Sequence, residues 1–110
     1  MKSISRELVG ASAIPLVLSV LQNGDTYGYE IIKRIKDFTD GEVVWQEASI
    51  YPLLKRMENK GLIQSYWKMN KKERPRKYYT ILAEGRKQME YNKQEWQRLN
   101  KVFKHLWNPA

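Results

Sequence analysis

Apolar residues at the start of the chain recur at helical steps. Ile4, Leu8, Ala11, Ile14, Val17, Leu18 and Leu21 follow one another mostly by threes and fours, which predicts a helix over residues 4–22. Ser3 or Ser5 can cap its start, and Gly24 follows its end. Pro15 removes one backbone hydrogen bond and should bend it. Tyr27, Ile31, Ile32, Ile35 and Phe38 mark a second helix over residues 27–39, with Asp25 or Thr26 as cap and Gly41 as its end. Residues 42–46 read equally as a short strand or an extended connector. A third helix covers residues 47–60 and stops at Gly61; Pro52, placed in its first turn, puts its start near Ala48 or Ser49. Two β-rich segments follow, 62–67 and 77–81, separated by a polar stretch containing Pro75, which reads as a hairpin with a long tip. Residues 83–107 form a last long helix. The expected class is mainly α with a small β-hairpin.

Composition then narrows the chemistry. The chain has 110 residues, which suits one domain with an appended helix. It has no cysteine, and His105 is its single histidine. Disulfides, thiolate metal sites and a histidine-based catalytic triad therefore lack their parts. No general base or nucleophile cluster suits an enzyme, and no metal or cofactor is implied. The apolar run from Leu8 to Leu21 follows Lys2 and Arg6, as in a signal peptide. Glu7 and Pro15 interrupt that pattern, no small-x-small cleavage site follows, and the run is too short to span a bilayer. A buried helix in a cytoplasmic protein is expected.

The net charge is +8, which favours a polyanionic partner, and its distribution points to nucleic acid. On the third helix Ile50, Leu53, Leu54 and Met57 share one arc about 100° wide, the core stripe. The opposite arc carries Ala48, Ser49, Tyr51, Pro52, Lys55, Arg56 and Asn59. Small residues allow close approach to a duplex, Ser49 and Tyr51 can donate to phosphate, and Arg56 can fork onto guanine. A solvated helix face would look similar on its own. The hairpin tip adds the second signal. Lys68, Lys71, Lys72, Arg74, Arg76 and Lys77 are opposed only by Glu73, a net +5 over ten residues. Such a cationic finger suits a phosphate backbone or a minor groove. No basic amphipathic helix with aromatic anchors stands out for membrane attachment.

In the last helix Met89, Trp96, Leu99, Phe103 and Leu106 step as a heptad seam, with Asn92 at the polar position. This stripe must be buried either on its own domain or on another copy of the chain, and a homodimer with help from helix 1 is expected. Two copies would present two third helices to successive major grooves, so the target should be a palindrome. Trp96 reads first as an interface aromatic. It could also wall a small-molecule pocket between subunits, with Tyr91, Glu95 and Asn100 near it in sequence.

Several stretches resemble the PadR family of winged-helix regulators. They are Gly24 with Tyr27-Gly28-Tyr29-Glu30-Ile31, the run Ser49-Ile50-Tyr51-Pro52-Leu53-Leu54-Lys55-Arg56-Met57-Glu58, then Lys60-Gly61-Leu62-Ile63, Arg76-Lys77-Tyr78-Tyr79 and Glu84-Gly85. The short last helix with a central Trp is similar to the small multidrug-sensing branch. Ala48 stands where that family often has Gly, and Leu82 where it usually has Thr, so a capping hydroxyl is lost. The resemblance implies a winged helix-turn-helix domain over residues 1–82 and a dimerisation helix over 83–110. It implies a dimeric repressor of double-stranded DNA, with a ligand between subunits altering operator affinity in some members. Tyr51, Lys55 and Arg56 would serve helix 3, Lys71, Lys72 and Arg74 the wing, and Trp96 would stack on a planar aromatic effector. The competing reading is a winged-helix adaptor that binds protein without sequence-specific DNA recognition.

Overall fold

A computed structural model describes residues 4–70 and 72–109. The elements run α1 (Arg6–Leu21), β1 (Thr26–Tyr27), α2 (Gly28–Phe38), α3 (Glu47–Asn59), β2 (Ile63–Asn70), β3 (Glu73–Ile81) and α4 (Ala83–Trp107). Residues 42–46 form the connector, with no strand. Ser5 caps α1, its hydroxyl accepting from the Leu8 amide at 3.3 Å; Ser3 lies outside the described residues. Helix α1 continues through Pro15. The carbonyl four residues earlier belongs to exposed Ala11, where water can replace the lost bond.

Neither Asp25 nor Thr26 caps α2, contrary to expectation. Thr26 and Tyr27 are instead the strand β1, paired antiparallel with Tyr79 and Tyr78 of β3. Ladder pairing holds their backbone extended up to the first helical residue. Helix α3 starts at Glu47, earlier than the placement of Pro52 suggested, so Pro52 sits in its second turn. The carbonyl it orphans belongs to Ala48, which is exposed. Helix α3 closes on Gly61, φ +74°, as the Leu62 amide donates to the Met57 carbonyl and the Gly61 amide to that of Glu58. This is a Schellman turn, and it aims the chain directly into β2.

The sheet order is β1-β3-β2. Strands β2 and β3 pair well past the expected bases, through Lys68 opposite Arg76 and Asn70 opposite Glu73. The supposed long tip is therefore mostly ladder. Two like charges face each other at Lys68 and Arg76, an unfavourable cross-strand pair. Aromatic faces offset it: Lys68 Nζ lies 4.9 Å from the Tyr78 ring centre, and the Arg76 guanidinium 4.3 Å from that of Tyr27. Tyr78 in turn packs against both Tyr27 and Tyr66.

The core gathers Val17, Leu18 and Leu21 of α1, Ile31 and Ile35 of α2, the α3 stripe, and Ile63, Tyr79 and Ile81 of the sheet. Each large side chain fully buried here stabilises the fold by about 1.5–3 kcal/mol. Burial raises the Tyr79 hydroxyl to about 12, with Glu58 adding to the effect. Three expected core positions are open to solvent. Phe38, the last residue of α2, is 84% exposed and lines an open depression with Leu16 and Val20 of α1. Ile4 and Leu8 are exposed at the outer end of α1. Leu82 makes no side-chain cap for α4, yet the helix begins where expected. The Leu82 amide donates to the Leu62 carbonyl at 3.0 Å, which fixes the entry to α4. The first turns of α4 share the core: Gly85 is buried and Met89 packs against the cluster.

Candidate nucleic-acid interface

Helix α3 divides cleanly into two faces. Ile50, Leu53, Leu54 and Met57 are buried, and Ala48, Ser49, Tyr51, Pro52, Lys55, Arg56 and Asn59 are all exposed. The sequence-based assignment of this helix face agrees with the burial at every position.

The hairpin is less uniform. Lys68, Lys72, Arg74 and Arg76 are exposed. Lys77 is half-buried, with its Nζ 4.0 Å from Glu58 Oε1 on α3. Glu58 also accepts a hydrogen bond from the Ser65 hydroxyl at 2.8 Å. Lys77 therefore helps fasten the wing to α3. Lys71 lies outside the described residues. On the other sheet face the Tyr66 hydroxyl donates to Asp25 Oδ2 at 2.8 Å, and this bond raises the pKa of the phenol. The wing is thus tied at its root to α3 and to the α1–α2 loop.

Between α3 and the wing runs an open cleft of about 710 Å³. Tyr51 forms one wall, the β3 stretch Glu73, Arg74, Pro75, Arg76 and Lys77 another, and Tyr27 and Trp67 complete it. Trp67 is 64% exposed and was read from the sequence only as a strand residue. Its spacing by two from Ser65 places it on the sheet face that meets α3, which is the pattern that could have singled it out. Tyr27, a core helix position by its spacing, lies in β1 and is half-buried beneath Arg76. Burial raises the pKa of Tyr51, Glu47 adds to this, and Arg76 opposes it. The hydroxyl is therefore protonated near neutral pH, as a hydrogen bond to an anion requires.

The long helix α4 carries a second feature. Trp96, Leu99, Phe103 and Leu106 lie exposed along it, while Met89, expected in the same seam, is committed to the domain core. Phe103 and Trp107 stack, 4.9 Å apart and 12° from parallel. A shallow groove of about 460 Å³ is lined by Trp96, Leu99, Asn100 and Phe103 together with Lys93 and Gln97. Glu95 is not among them; it accepts a hydrogen bond from Asn92 at 3.2 Å. Tyr91 lines a different depression, with Ile14 and Leu62. Of the residues proposed for a ligand, Trp96 and Asn100 come together and Glu95 and Tyr91 do not.

A helix with a free polar face, flanked by a cationic two-stranded wing on a three-helix core, defines a winged helix-turn-helix protein. The chain belongs to the transcriptional regulator PadR-like family, whose model matches residues 17–91. A transcriptional regulator from Clostridium thermocellum superposes with a TM-score of 0.81 at 36% identity, covering 88% of this chain and 94% of that one. A PadR family transcription regulator from Clostridium difficile R20291 gives 0.76 at 36% identity, covering 88% and 99%. The transcriptional regulator YqjI of Escherichia coli is 26% identical over 89 residues, 81% of this chain but 41% of its own length. The protein is thus a DNA-binding transcriptional regulator, in a family of regulators and not of enzymes. Among the described residues no helix is long and apolar enough to cross a membrane.

Proposed function

We propose that this chain is a cytoplasmic homodimeric repressor that binds a palindromic operator. Residues 1–82 form the DNA-binding unit, and residues 83–110 carry dimerisation. The single observation behind this reading is that Tyr51 of the exposed α3 face and Arg74, Arg76 and Lys77 of the wing line one open cleft. In this arrangement Ser49, Tyr51, Pro52, Lys55, Arg56 and Asn59 enter a major groove. Lys68, Lys71, Lys72, Arg74 and Arg76 follow the adjacent backbone, with Lys77 bracing them. Trp96, Leu99, Phe103 and Leu106 bury against a second copy, and the exposed Ile4 and Leu8 of α1 join that contact. A planar aromatic effector would enter the groove beside Trp96 and Asn100 and change operator affinity by respacing the two α3 helices.

Two single substitutions separate positioning from reading. Arg74→Ala is expected to weaken operator and scrambled duplex alike. It should flatten the plot of log affinity against log salt by about 1.8, or about 0.9 for each of two copies. Arg56→Ala is expected to cost about 1–3 kcal/mol on the operator and little on scrambled DNA. Fluorescence anisotropy over a salt series reads both. If each variant binds the operator as the parent does, DNA is not held by this surface, and a protein-binding adaptor becomes the better reading.

A further inference from the structure

We infer that Gly28 is a positioning residue for DNA binding, because its missing side chain makes the seat on which the Tyr51 ring rests. Gly28 is the first residue of α2 and is buried. A Cβ there would lie 2.8 Å from Tyr51 Cε1, 2.9 Å from Cζ and 3.0 Å from the hydroxyl oxygen. Real Cβ contacts are essentially never shorter than 3.0 Å. The hydroxyl end of the Tyr51 ring therefore occupies the space that a side chain at residue 28 would need.

Backbone conformation does not explain a glycine here. Three other glycines of the chain adopt positive φ, namely Gly24, Gly41 and Gly61, and Gly28 does not. At the start of a helix with ordinary φ, alanine is the better helix former. What the position needs is space, and the atoms that fill that space belong to Tyr51.

The seat matters because of what surrounds the hydroxyl. Tyr51 and Arg76 both line the cleft between α3 and the wing. Arg76 is itself held over the Tyr27 ring, the residue next to Gly28. One short segment, Tyr27-Gly28, thus sets both the guanidinium and the phenol. Together they offer a phosphodiester oxygen one ionic donor and one neutral donor from fixed positions. A methyl group at residue 28 would push the phenol off its seat and change its place in the cleft relative to Arg76. Gly28 itself, being buried, does not touch the DNA.

This inference rests on the DNA-binding reading above, and the experiment separates the two. Operator affinity is measured by anisotropy for the parent, Gly28→Ala, Tyr51→Ala and the double variant, each checked by circular dichroism and thermal unfolding. Gly28→Ala and Tyr51→Ala are each expected to weaken binding by about tenfold or more, the loss of a hydrogen bond to a charged group. The double variant should bind like Tyr51→Ala alone, since without the ring there is nothing to displace. A purely structural defect at residue 28 would persist in the double variant. Gly28→Ala binding like the parent, or losses that multiply in the double variant, would overturn the inference while leaving the DNA reading intact. Failure of the folded parent to bind DNA would overturn both.

Discussion

Leu99→Glu combined with Phe103→Glu should leave a folded monomer whose operator affinity is lower by about 10²- to 10⁴-fold, the usual gain from tethering two binding modules. Both side chains are exposed in the single chain, at 42% and 38%, on the far part of α4. They make no part of the core, so the winged-helix unit should keep its unfolding temperature except for what dimerisation contributes. In a dimer their burial would place the two new carboxylates in an apolar seam beside their symmetry mates, which is strongly unfavourable. The effect on DNA is indirect, since neither residue is near α3 or the wing. Sedimentation equilibrium reads the mass and anisotropy reads the affinity. A variant that stays dimeric would remove α4 from the interface; one that is monomeric but binds as tightly would remove the need for two copies.

Gly85→Ala should destabilise the fold by about 2–4 kcal/mol, a substantial part of the 5–15 kcal/mol typical of a domain. The new Cβ would run into the Leu62 carbonyl oxygen and lie 2.8 Å from Ile81 Cγ1 and 3.2 Å from Leu18 Cδ2. The first of these is backbone and cannot rotate away. That carbonyl also accepts the Leu82 amide bond at the entry to α4, so relief of the clash sacrifices the hydrogen bond, worth about 1 kcal/mol. For a domain this size the melting temperature should fall by roughly 10–25 °C. Urea unfolding checks this directly. An unchanged midpoint would mean that α4 does not press against the β2 entry as described.

The parts of the fold that the sequence made legible are those buried on one side only. Helix α3 shows this best: a strict stripe at Ile50, Leu53, Leu54 and Met57 leaves the other residues exposed, and period alone finds both faces. Helix α1 resisted the same treatment. Its inner end buries Val20 as well as Val17, Leu18 and Leu21, so several sides are covered, while Ile4 and Leu8 at its outer end lie open. The two-residue strand β1 has no period to detect and is created only by pairing with β3. The length of the hairpin was hidden because Lys68 and Arg76 look like a solvated tip until their aromatic partners are placed beneath them. Tyr51 was found from its helix face, but its seat on Gly28 joins residues 23 apart and left no local signature. In α4, periodicity grouped Met89 with Trp96, although the first packs into the domain and the second faces outward. Spacing identifies a stripe; it does not say which partner covers each part of it.

The decisive measurement is a binding titration on a duplex recovered from genomic DNA by repeated selection, against a scrambled duplex of the same composition at the same salt. The account predicts two chains per duplex, a recovered sequence with two-fold symmetry, and a preference of at least about 10³ over the scrambled control. One chain per duplex, or equal affinity for both duplexes, would contradict it.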